Sequence, residues 1–85
     1  MLQAFGGRTC ANWLKDQQHE VWGGNWILGF WTGINFANER HDVGQTQDAD
    51  GIIGEVKKIC RDQPSMLLLK ATTKVHGMIA GRERP

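Results

Sequence analysis

The chain has 85 residues, of which 40% are hydrophobic and 22% are charged, and its ten Lys and Arg nearly cancel its nine Asp and Glu. This length suffices for one small domain, four Trp argue against a disordered chain, and a net charge of +1 argues against a small nucleic-acid-binding protein. The longest apolar runs, such as residues 66–69, are too short to span a bilayer.

A single helical domain is predicted over residues 9–81, between a flexible N-terminus at 1–8 and a flexible tail at 82–85. The first helix is predicted at residues 10–18, because Thr9 is a suitable N-cap and three residues at helical spacing can face inward: Cys10, Trp13 and Leu14. A loop that contains Gly23 and Gly24 is expected to end this helix.

The second predicted helix, residues 25–39, is the most apolar part of the chain and is expected at the centre of the fold. Its large apolar side chains recur at helical spacing: Trp26, Ile27, Phe30, Trp31 and Ile34. Gly29 and Gly33 lie four residues apart and share a face, where we expect another helix to pack closely. Of the four Trp, Trp22 and Trp31 are the candidates for an interface.

Polar residues at 40–48 predict a loop, with Asp48 or Asp50 as the N-cap of a third helix at residues 49–61. A fourth helix is predicted from Pro64, in its first turn, to about residue 80, with Gly81 ending it. It is expected to bury Leu67 or Leu68, with Ala71, Val75, Met78 and Ile79. Together the segments predict an all-α fold, a small bundle of about four helices.

The two cysteines, Cys10 and Cys60, lie fifty positions apart, and neither has another Cys or a His at metal-ligand spacing. They form either one disulfide, as in small exported proteins, or two free thiols in the core of a cytosolic protein. A bridge would connect the first helix to the third and stabilise the fold by roughly 4 kcal/mol. The N-terminal residues show no secretory leader, which leaves open both a mature exported form and a cytosolic protein.

No set of residues predicts catalysis, a metal or a cofactor, so we expect a protein that is not an enzyme. His19, His41 and His76 fall in three segments, and helix capping accounts for the Asp48–Asp50 pair better than a calcium loop does. Residues 51–85 hold seven basic and three acidic side chains. The basic residues are either the solvated side of two helices, which we favour, or a surface for nucleic acid: Lys57, Lys58, Arg61, Lys70 and Lys74.

Three short motifs occur in an order that resembles the HdeA/HdeB acid-stress chaperones. They are TCANWL at residues 9–14, ILGF at 27–30, and the segment 48–62, in which Asp-x-x-Gly-Ile precedes a helix that ends in Cys60. The resemblance covers roughly residues 9–80. It implies a periplasmic all-α domain with a Cys10–Cys60 disulfide, which is a homodimer near neutral pH.

The resemblance also implies a function. Chaperones of this family loosen in strong acid and expose apolar surface that binds other unfolding proteins. Here the second helix would supply that surface through Trp26, Ile27, Phe30, Trp31 and Ile34. The segment 29–35, followed by Asp62-x-Pro64, is also similar to the Tai-type immunity proteins, which bind and block one specific toxin. An immunity-type inhibitor is therefore the alternative.

Overall fold

The computed structural model describes residues 5–38 and 42–83, and it confirms the all-α prediction. A 3-10 turn at Phe5–Gly7 precedes four helices, α1 (Cys10–Trp13), α2 (Gln17–Ala37), α3 (Ala49–Asp62) and α4 (Leu68–Arg82). Parts of the predicted flexible ends are ordered, since Gly6 is buried and Arg82 belongs to α4.

Helix α1 ends at Trp13 and not at residue 18, because Asp16 starts α2. The Asp16 carboxylate accepts a hydrogen bond of 2.7 Å from the backbone N–H of His19, which is an N-cap. Gly23 and Gly24 therefore lie inside α2 and not in a loop. The predicted end of this helix, at residue 39, lies outside the described residues.

The glycine pair allows two neighbours to pack closely on α2. A Cβ at Gly23 would lie 2.6 Å from Nε1 of Trp13, and a Cβ at Gly24 would lie 3.3 Å from Cδ1 of Ile53. Gly23 thus accommodates the fully buried indole of Trp13, whose Nε1 donates to the carbonyl of Glu20 at 3.1 Å. Close packing against α1 outweighs the low helix propensity of glycine here.

Helix α3 begins as predicted, with Asp48 as its N-cap, and it extends one residue further than predicted. Helix α4 begins at Leu68, and Pro64 precedes it in a segment that pairs with the backbone near α1. The carbonyl of Pro64 accepts from Ala11 N at 2.9 Å, and that of Met66 accepts from Cys10 N at 2.8 Å. This pairing holds the segment outside the helix, so the predicted start is wrong.

Helix α4 also continues past Gly81. It buries Leu68, Ala71, Val75 and Ile79 as predicted, but Met78 is 49% exposed, so its predicted burial is wrong.

A disulfide joins Cys10 to Cys60 with a Cα–Cα distance of 5.0 Å, and both residues are buried. It connects the start of α1 to the C-terminal turn of α3. Of the two readings that the residues left open, the structure supports the disulfide.

Candidate functional site

A loop at residues 42–47, here called the cover loop, lies against the indole of Trp31 on α2. Trp31 is only 4% exposed, and its Nε1 donates a hydrogen bond of 2.8 Å to the carbonyl of Val43. Gly44 has a φ of 97°, and a Cβ there would lie 2.9 Å from Nε1 of Trp31. Glycine is required at position 44 both for the left-handed backbone and for the close approach to the indole.

The carboxylate of Glu83 holds the cover loop from the end of α4. One of its oxygens accepts a hydrogen bond of 2.9 Å from the backbone N–H of Gly44. The other accepts from the backbone N–H of Thr46 at 3.0 Å and from the Thr46 hydroxyl. Hydrogen bonds to a charged carboxylate are stronger than those to a neutral acceptor, so the position of the loop depends on the ionised form of this group.

Asn35 connects the cover loop to a buried histidine. Its Nδ2 donates to the carbonyl of Val43 at 2.9 Å, and its Oδ1 lies 2.8 Å from Nε2 of His76. Because the amide oxygen can only accept, Nε2 of His76 carries the proton in this contact. The imidazole also packs on Trp31, with 4.7 Å between ring centroids.

The five residues predicted to bind clients do not form one exposed surface in this folded state. Ile27 and Trp31 are buried in the core, and Trp26, Phe30 and Ile34 are half-buried. Trp26 and Phe30 stack on one another with 4.8 Å between ring centroids. The prediction of Trp31 as an interface residue is wrong for the folded monomer, because the cover loop shields it.

Other residues of α2 are exposed instead. Trp22 is 47% exposed and packs partly on His19, and Phe36 is 82% exposed. Gly29 and Gly33 are exposed as well, and a Cβ at either position would meet no atom within 4 Å. The close helix packing predicted at these two glycines is therefore not found among the described residues of one chain; it occurs at Gly23.

The described residues include no cluster of three or more His, Cys, Asp or Glu side chains arranged to hold a metal ion. An open depression of about 490 Å³ lies between α2 and α3, lined by Gln17, Glu20, Val21, Ile53 and Lys57. Its two charges neutralise one another, since Lys57 Nζ lies 2.7 Å from the Glu20 carboxylate. Lys57 is thus partly withdrawn from the basic surface that the sequence suggested.

Sequence reasoning missed the residues that surround Trp31, namely Asn35, Val43, His76 and Glu83. Gly44, in a polar segment, was the one local signal of a turn near them. Glu83 was assigned to a flexible tail, and its contacts with Gly44 and Thr46 join residues 37 to 39 positions apart.

Compared with protein-family models, with curated proteins and with solved structures, the chain matches none. Among the helices of residues 5–38 and 42–83, none is long and apolar enough to cross a membrane. The resemblance to the acid-stress chaperones therefore enters below as a proposal.

Proposed function

We propose that this chain is a periplasmic acid-stress chaperone of the HdeA/HdeB type, which loosens at low pH and binds unfolding proteins through α2. The observation that carries the proposal is that a carboxylate, Glu83, holds the loop that covers Trp31. Acid that protonates Glu83 removes the charge from these hydrogen bonds and weakens the attachment of the loop. Trp31 and its apolar neighbours on α2 then become accessible to clients.

Acid also weakens the beginning of α2. The hydrogen bond from the backbone N–H of His19, and next that from its imidazole, lower the pKa of the Asp16 carboxyl below its usual value. A carboxyl with a lowered pKa in the folded state stabilises that state above its unfolded pKa. This contribution is lost as the pH falls through the folded pKa, so acid destabilises the N-terminus of α2.

Charge repulsion acts in the same direction. When all nine carboxyl side chains are protonated and the three His are charged, about thirteen positive side chains remain, the ten Lys and Arg and the three His. His76, which packs on Trp31 in the folded state, is one of them. Repulsion among these charges favours an expanded chain.

The disulfide limits that expansion. Thiol–disulfide exchange requires a thiolate, so strong acid alone leaves the Cys10–Cys60 bridge intact and α1 attached to α3. A disulfide of this kind persists in oxidising compartments, which supports a periplasmic location. The chain would therefore open around α2 without unfolding completely.

The test is an aggregation assay of acid-sensitive client proteins at about pH 2 to 3 and at pH 7. We expect suppression in acid and little at neutral pH. Glu83→Gln should extend suppression to higher pH, because the neutral amide holds the cover loop less strongly. Glu55→Gln is the matched control, since it also removes a carboxylate but leaves the cover loop in place; Glu55 pairs with Arg82 at 3.6 Å.

No suppression at low pH would refute the proposal, and equal suppression at both pH values would refute the role of acid. Tight binding of one partner at pH 7 without any suppression would support the immunity-type inhibitor instead. If Glu83→Gln and Glu55→Gln behave alike, the cover loop is not the acid-sensitive element.

A further inference from the structure

One side of α2 is exposed along its length, opposite the stripe that Ile27 and Trp31 bury. It carries exposed residues at alternating spacings of three and four, here called the outer face: Trp22, Asn25, Gly29, Thr32 and Phe36. This spacing places them in one line along the helix. Two of them are large aromatic residues, and Phe36 is among the most exposed hydrophobic side chains of the described chain.

The outer face is uncharged. The chain has nineteen charged side chains in 85 residues, but residues 21–38 contain no Asp, Glu, Lys or Arg. A solvent-facing helix surface usually carries charged residues, and exposed aromatic residues without charge mark association sites. A second copy of the same face introduces no like-charge repulsion, whereas a charged partner surface would find no opposite charge on it.

The distribution of large and small residues on the outer face is symmetric about Gly29. Trp22 and Phe36 each lie seven residues from Gly29, which is about 10.5 Å along the helix on either side. Two crossing helices are closest at the crossing point and diverge away from it. Gly29 and Gly33, where a Cβ would meet no atom within 4 Å, allow close approach at the centre, and the aromatic residues fill the wider space at the ends.

We propose that the outer face of α2 is a homodimer interface in which two copies pack antiparallel about a two-fold axis at Gly29. This arrangement brings Trp22 of each copy against Phe36 of the other, which satisfies the self-complementarity that a two-fold interface requires. Aromatic pairs of this kind are favourable beyond the area that they bury. The dimer forms at neutral pH whether or not the chain acts as a chaperone in acid.

The size of the outer face predicts a weak, reversible dimer. Residues 22–36 span about 21 Å along the helix, which is too little for a standard interface of about 800 Å² per partner. We therefore expect dissociation in the micromolar range or weaker, with monomer and dimer in exchange.

The test measures molar mass at pH 7 by sedimentation equilibrium, from about 10 µM to about 1 mM protein. The wild-type protein should shift from monomer to dimer over this range. Phe36→Lys should weaken dimerisation at least tenfold, because it brings charge into the uncharged face. Met78→Lys is the control, since Met78 is also an exposed hydrophobic residue but lies on α4, and it should dimerise as the wild type does.

Crosslinking tests the register. Gly29→Cys places a single free thiol at the proposed two-fold axis, so two copies should form an intermolecular disulfide rapidly under mild oxidation. Gly77→Cys is the control, because Gly77 is equally unobstructed but lies on α4. A monomer at every concentration, or a dimer that Phe36→Lys does not affect, overturns the proposal. Crosslinking of Gly29→Cys no faster than that of Gly77→Cys overturns the antiparallel register.

Discussion

Two glycine-to-alanine substitutions should change the stability of the fold in opposite directions. Gly23 lies inside α2 against the buried indole of Trp13, whereas Gly77 lies inside α4, where an added Cβ would meet no atom within 4 Å. Both replace glycine by alanine within a helix, so both gain the same intrinsic propensity. Only Gly23→Ala forces the added methyl group into a neighbouring side chain.

The difference follows from three contributions. Alanine in a helix interior is favoured over glycine by about 1 kcal/mol, so Gly77→Ala should stabilise the protein by about that amount. At Gly23 the methyl group would lie 2.6 Å from Trp13 Nε1, and overpacking of this kind costs about 1–3 kcal/mol. Displacement of the indole also weakens its hydrogen bond to Glu20, which contributes about 1 kcal/mol. Gly23→Ala should therefore be destabilised by about 1–3 kcal/mol after the gain in propensity is included.

Thermal unfolding followed by far-UV circular dichroism measures both effects. For a domain of this size 1 kcal/mol corresponds to about 4–8 °C in Tm, so Gly77→Ala should unfold several degrees higher than the wild type and Gly23→Ala several degrees lower. If Gly23→Ala raises Tm as much as Gly77→Ala does, Trp13 does not pack on Gly23, and the account of why α2 contains a glycine pair is wrong.

Three further changes test the surroundings of Trp31, the start of α2 and the disulfide. Asn35→Ala should lower the free energy of unfolding by about 1–3 kcal/mol, measured in urea, because it leaves buried partners unsatisfied; Asn38→Ala, which loses only a bond within α2, should have a smaller effect. Asp16→Asn should be less stable than the wild type at pH 7, and the difference should vanish near pH 2; a difference that stays constant with pH contradicts the lowered pKa. Replacing Cys10 and Cys60 by Ser should cost roughly 4 kcal/mol and give a larger radius of gyration in acid by X-ray scattering, and an unchanged radius would show that the bridge does not limit expansion.

The elements that sequence reasoning predicted well are those whose local signals agree. Helix α3 has a capping carboxylate at Asp48 and an apolar stripe that includes Ile52, Val56 and Cys60, and all three are buried. Reasoning from local signals failed at Gly23 and Gly24. Glycines disfavour a helix by themselves, but at these positions α2 packs against Trp13 and Ile53, which come from elsewhere in the chain.

The cover loop could not be predicted, because its contacts are long-range. Glu83 binds Gly44 and Thr46 across 37 to 39 residues, and neither a periodic pattern nor a spacing rule connects them. The start of α4 failed for the same reason, since Pro64 is a favourable first-turn residue in isolation. Its carbonyl instead accepts a hydrogen bond from Ala11, and this pairing depends on the tertiary fold.

The two proposed roles of α2 should respond differently to salt. The outer face contains no carboxyl group and no Lys or Arg from residue 21 to residue 38, so acid can oppose the dimer chiefly through repulsion between two positively charged copies. The cover loop is held by short hydrogen bonds to Glu83, whose charge is lost on protonation at any ionic strength. Because salt screens repulsion over a distance of about 10 Å at 0.1 M, added salt at low pH should restore the dimer but leave Trp31 accessible to a fluorescence quencher. If salt restores both the dimer and the protection of Trp31, repulsion alone opens the fold, and the carboxylate of Glu83 is not the acid-sensitive group.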